Sequence, residues 1–208
     1  LGATAVYLWS DRQNRVRETY AQTSTLARAL EEHVTRAFGT VEIYLRNVGR
    51  RLVESDALAR PSTPHVVALL RERAAQAGVV RSIYVYDASG SGHSTSLGAD
   101  VTKLHAKDFE NTRKVLEGDT NRLVIARVVA GVVTGQPNIP VALGILDNSG
   151  RLAGIVGSAI LPEYFRDFYQ SLGLGEGGSV ALVRRDGAVL ARFPEVSGAT
   201  LDVSQSTV

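Results

Sequence analysis

The sequence contains no cysteine in 208 residues, which excludes disulfides, zinc knuckles, iron–sulfur sites and thiol catalysis together and leaves the redox compartment open. Charge of one sign is also lacking. The 23 basic and 21 acidic residues leave a net +2, so there is no electrostatic case for a nucleic-acid partner despite a pI near 9.0. The motifs G-x-S-x-G and G-x-x-x-x-G-K-[ST] do not occur, which removes most support for a hydrolase or an NTPase. His33, His65, His93 and His105 form neither H-x-x-H nor H-E-x-x-H, so no metal is expected. His105 and Asp108 stand at i, i+3, but a salt-bridged helix start accounts for them more simply. No cofactor and no catalytic residue is assigned. What is present is an ordinary globular composition, 44% hydrophobic and 21% charged, enough for one domain or one domain with part of a second.

The first residues, Leu1 to Trp9, are apolar and stop abruptly at Ser10 and Asp11. The chain reads as a cut piece. Residues 1–10 are expected to be the end of a transmembrane helix, since alone they fall short of the roughly 20 residues a span needs, and Tyr7 and Trp9 suit an interface. From Asp11 to Glu54 there is no proline, and Leu26, Leu30, Val34, Phe38, Val41, Leu45, Val48 and Leu52 recur at alternating spacings of four and three. That heptad seam predicts one long helix over 11–55, whose length of about 60 Å exceeds what one core requires. One part is expected to pack on the domain and another to form a dimer.

Thr63 as N-cap and Pro64 at the first helical position start a second helix that stops at Gly78. The period then changes to that of strands. Val79 to Asp87, the turn Asp87-Ala88-Ser89-Gly90 and a strand near His93 to Leu97 make a hairpin. A third helix is expected over Ala106 to Glu117. Strands Leu123 to Val129 and Ile139 to Leu146 flank the loop Ala130 to Asn138. A returning strand covers Leu152 to Leu161, and Pro162 starts an aromatic helix ended by Gly173. The hairpin pattern recurs at Leu182 to Arg192, too near the end to be completed, which points to the beginning of a second, related domain. Gly173 to Gly178 satisfies G-x-G-x-x-G, but it follows a helix and precedes a strand, the reverse of a dinucleotide site, so it reads as an interdomain link.

The polar constellation worth following is dispersed. Tyr84 and Tyr86 alternate onto one face of the first strand, Asp108 lies on the third helix, Arg127 ends a strand, and Gln136 and Asn138 sit in the loop. A helix covering the tyrosine face would enclose a small polar pocket.

Several strings carry a family resemblance: Lys107-Asp108-Phe109, the strand pair across Val141 to Ser158, P-E-Y-F-R-D-F-Y from Pro162, L-G-L-G-E-G-G, and R-R-D-G-A-V-L-A-R-F-P ending at Pro194. The chain resembles the extracytoplasmic double-Cache, PAS-like sensor domains of bacterial histidine kinases, diguanylate cyclases and chemoreceptors, most specifically from Gly150 onward. The resemblance implies an α+β fold: a long N-terminal signalling helix, a membrane-distal Cache domain over 56–172 with a PAS-like antiparallel sheet, and an incomplete membrane-proximal one over 173–208. It also implies a periplasmic region of an inner-membrane receptor, anchored through flanking helices, homodimeric and not itself an enzyme. Its partner would be a small molecule, such as an organic acid or another small metabolite. Carried over by position, Tyr84, Tyr86, Asp108, Phe109, Arg127, Gln136 and Asn138 are the expected ligand-binding residues. His105-Ala106 stands where many relatives have Asp-Arg, and Gly144 where many have arginine. The only tryptophan, Trp9, lies outside the domain, which disfavours a free amino acid. The rival expectation is a structural dimerisation module without a ligand.

Overall fold

A computed structural model of the chain describes residues 2–60, 62–175 and 177–195, with side chains from residue 24 onward. The apolar side chains of the expected membrane segment and the last part of the expected second domain, 196–208, lie outside the described residues. Among those described, no helix is long and apolar enough to cross a membrane. The chain forms two compact units, residues 1–39 and 40–208.

The first unit is helical, the leading part of α1 (Gly2–Glu54). Leu26, Leu30, Val34 and Phe38 are half-buried there, and an exposed i, i+4 pair joins Arg36 to Glu32.

In the second unit, the remaining turns of α1 bury Val41, Leu45, Val48 and Leu52. This half of the seam is core, with full burial contributing about 1.5 to 3 kcal/mol per side chain. Gly49 lets the helix pack close to the sheet, since a Cβ there would stand 3.1 Å from Ile145 Cγ1. Then come α2 (Pro64–Gln76), capped by Thr63, which accepts from the Val66 N–H; β1 (Val80–Asp87); β2 (Gly92–Thr95); and α3 (Glu110–Leu116). The short β3 (Val124–Ile125) and β4 (Val129–Ala130) lead to the long β5 (Pro137–Leu146) and β6 (Leu152–Ile160). Next are α4 (Pro162–Ser171) and a separate two-stranded hairpin, β7 (Val180–Val183) with β8 (Val189–Phe193).

The sheet runs β2–β1–β6–β5–β3, antiparallel at each pairing, with β4 added to β5. Period-two alternation sorts its side chains. One face carries Ile83, Val85, Ile139, Val141, Leu143, Ile145 and Val156, all buried, and Ile145 meets α1 at Gly49. The opposite face carries Tyr84, Tyr86, Ala142 and Ile155, which pack with Ala106, Val115 and Val124. Gly157, across from Tyr84, is required by it, because any Cβ would overlap the Tyr84 ring.

The third helix departs from its expected span. A 3-10 turn (Ala106–Asp108) is followed by an extended Phe109 (φ −123°, ψ 137°), and α3 begins only at Glu110. Side-chain bonds enforce the break: His105 Nδ1 accepts from the Lys107 N–H at 3.2 Å, and Thr112 Oγ1 donates to the Ala106 carbonyl at 2.6 Å. β2 stops at Thr95 because Ser96 Oγ takes over the Ile83 N–H. The first two hairpin turns share one device: Asp87 and Asp147 each accept from the N–H groups two and four residues on, at 2.8 and 3.0 Å.

Candidate functional site

Between the tyrosine face of the sheet, α3 and the loop after β4 lies a cavity of 370 Å³, within the roughly 300–1,000 Å³ usual for small-molecule sites. Small residues create it. Ala126, Ala130, Gly131 and Ala159 stand along walls that larger side chains would fill. Val129, Val132 and Val133 give the loop an apolar lining, and all three keep much of their surface exposed.

Tyr84, Tyr86, Asp108, Phe109 and Asn138 line the cavity, whereas Arg127 and Gln136 do not. Arg127 ion-pairs instead with Asp186 at 3.2 Å, in the β7–β8 connection, and Gln136 uses its carbonyl to close the loop, accepting from Gly131 N–H at 2.8 Å.

The aromatic end is ordered by hydrogen bonds. Tyr84 Oη donates to the Val141 carbonyl at 2.9 Å and accepts from Asn111 Nδ2 at 2.6 Å. Tyr86 meets Tyr84 edge-on at 5.9 Å between ring centroids and Phe109 at 6.5 Å. Burial holds both tyrosines in their neutral form. Tyr86 is pushed up to about 12, by desolvation first and then by the neighbouring Asp108 charge. Tyr84 is raised further, for burial, then Tyr86, outweigh the Asn111 bond.

Sequence reasoning missed Asn111, Glu110 and Ser82, all of which line the cavity. The signals were available: Ser82 shares its face with Tyr84 and Tyr86, and Asn111 stands four residues before buried Val115, so a polar residue falls on an inward helical stripe.

Glu110 turns from the cavity rim into a charge cluster. Its carboxylate accepts from Arg184 Nη2 at 2.9 Å, Lys114 Nζ at 3.0 Å and the Arg127 N–H at 3.1 Å. Burial would raise its pKa, but these bonds prevail and bring it down to about 2. Arg184 also donates to the Ile125 carbonyl at 2.7 Å and pairs with Asp186, tying the β7–β8 hairpin to α3 and β3.

Residues 162–207 match a family of the dCache_1-like type, described as a histidine kinase sensor domain. No curated protein matches the chain. Among solved structures, the extracellular domain of rpHK1S-Z16, described as a histidine kinase, is 26% identical with a TM-score of 0.71, over 84% of this chain and 72% of that one. The periplasmic sensory domain of the Campylobacter jejuni chemoreceptor Tlp1 has a TM-score of 0.61 at 13% identity, over 81% and 70% of the two chains. The ligand-binding domain of the Pseudomonas fluorescens chemoreceptor CtaA, in complex with L-serine, has a TM-score of 0.53 at 18% identity, over 81% and 72%. Fold and C-terminal match agree on the class that this chain resembles: it has the α+β fold of the Cache-type, PAS-like sensor domains, and its residues 162–207 match a histidine kinase sensor family. Its structural neighbours are the extracellular and periplasmic sensor domains of histidine kinases and chemoreceptors.

Proposed function

We propose that the chain is the extracytoplasmic, ligand-sensing part of a membrane-anchored bacterial receptor, and that it binds a small metabolite in the cavity between the tyrosine face and α3. The observation that carries this reading is the cavity itself: 370 Å³ bounded by small and apolar residues, with polar groups at one end. L-Serine in the CtaA domain of similar fold supports a small ligand. Signalling runs through α1, whose half-buried Leu26, Leu30, Val34 and Phe38 pair with a second copy.

The test is a metabolite screen by thermal shift on the wild type and on Ala159→Phe, which fills the cavity. A ligand at a hundred times its Kd stabilises by about 2.7 kcal/mol, roughly 5 to 10 °C for a chain this size. The shift is expected to vanish in Ala159→Phe. Hits that persist there undiminished, or a full screen without any hit, overturn the proposal.

A further inference from the structure

Resting on that reading, we infer that the ligand is an organic amine without a carboxylate, bound with its protonated nitrogen at the aromatic end of the cavity. Tyr84 has one O–H, committed to the Val141 carbonyl, so the Asn111 atom 2.6 Å from its oxygen must be the amide nitrogen. That fixes the orientation of Asn111, which is 1% exposed, and leaves Oδ1, an acceptor, for the cavity it lines. Tyr86 is 5% exposed, and its hydroxyl makes no hydrogen bond among the described residues, yet it is not sealed in the core. Beside it, at the exposed rim of the cavity, the Asp108 carboxylate has no hydrogen bond or ion pair among the described residues.

The aromatic end thus presents two acceptors, a hydroxyl able to play either role, and the rings of Tyr84, Tyr86 and Phe109. An ammonium group satisfies all of them: it donates to Asn111 and Asp108 and lies against ring faces that attract cations. A carboxylate there would face Asp108 and the Asn111 oxygen with only the Tyr86 hydroxyl to receive it. The other ionic groups on the lining do not alter this. Glu110 is committed to Arg184 and Lys114. Arg81 lines the cavity at a bulge in β1, five residues or about 16 Å of strand before Tyr86, and also lines a separate depression beside Arg71. The remaining wall, with Val129, Val132 and Ala159, suits a hydrocarbon tail.

The experiment is isothermal titration of the 208-residue chain near neutral pH with four probes of equal length: n-pentylamine, n-pentanol, pentanoate and norvaline. The amine is expected to bind about tenfold or more tightly than the alcohol, with both carboxylates weaker still. Asp108→Asn and Asn111→Leu should each weaken the amine by about fivefold or more while leaving the alcohol unchanged. Tyr84→Phe frees the Asn111 amide to turn its N–H groups inward, so the preference for amine over pentanoate should narrow. Tighter binding of pentanoate or norvaline than of the amine overturns the inference, as does undiminished amine binding in both Asp108→Asn and Asn111→Leu. If only the carboxylates or the alcohol bind, and Ala159→Phe abolishes that binding, the sensor reading stands and the amine assignment alone fails. If neither these probes nor any metabolite binds, both fail.

Discussion

Glu110 and Asn111 are consecutive on α3, yet their surroundings are opposite. Every oxygen of Glu110 is used, by Arg184, Lys114 and the Arg127 N–H. Asn111 spends its amide nitrogen on Tyr84 and leaves its oxygen toward the cavity. The first arrangement fastens the β7–β8 hairpin to the domain; the second keeps recognition capacity open. On the proposed reading, stability and binding are separated by one residue along the chain, and substitutions on either side should read out differently.

The largest effect is expected at Arg184, which is 14% exposed on its side chain. Replacing it with methionine removes the guanidinium from Glu110 and leaves Asp186 with Arg127 alone, and chemical denaturation should show a loss of about 3 kcal/mol. A loss below about 1 kcal/mol would mean that the cluster is screened like a surface pair.

Gly157→Val should cost about 1 to 3 kcal/mol, because the added methyls occupy the space of the Tyr84 ring. It should also abolish any binding that depends on Asn111, so melting temperature and titration are both informative. Tyr84→Phe removes only the hydroxyl and should cost about 1 kcal/mol, with its main consequence in ligand preference.

Acid titration provides a fourth measurement. The folded pKa of Glu110, about 2, lies below its ordinary 4.5, so its contribution is fully present above about pH 4.5 and is lost as pH falls toward 2. In Glu110→Gln this part of the stability profile should flatten; an unchanged profile would assign acid sensitivity to other carboxylates. The smallest effect on stability belongs to the first unit. Leu30→Asp should leave the unfolding free energy within about 0.5 kcal/mol of wild type but reduce self-association in sedimentation, and an unaltered dimer would remove the pairing role given to that seam.

Much of the fold could be read in advance because its signals are local. Thr63-Pro64 starts α2, Asp-x-Ser-Gly marks two turns, and Pro162 opens α4. The break at Phe109 could not, since it depends on Thr112 reaching back to the Ala106 carbonyl. At the site, strand alternation sufficed to pair Tyr84 with Tyr86. It could not show that the Tyr84 hydroxyl is satisfied by Val141, a residue 57 positions away, which leaves Asn111 rather than Tyr84 to present a polar atom. Arg127 was misplaced for the same reason: its partner Asp186 lies 59 positions on, and sequence spacing carries no such information.

The two aspartate turns bear on where the domain can yield. Asp87 ends β1 and Asp147 follows β5, and β6 runs between those strands, so both turns cap the same end of the sheet. Each is clamped by its own side chain. At the far end Val80 and Ile139 both pair with Ile160, β5 emerges from the apolar loop, and β6 passes through Leu161 into α4. One end of the sheet is thus held by side-chain bonds within its turns, while the other carries both the wall of the cavity and the start of the helix leading to the β7–β8 hairpin.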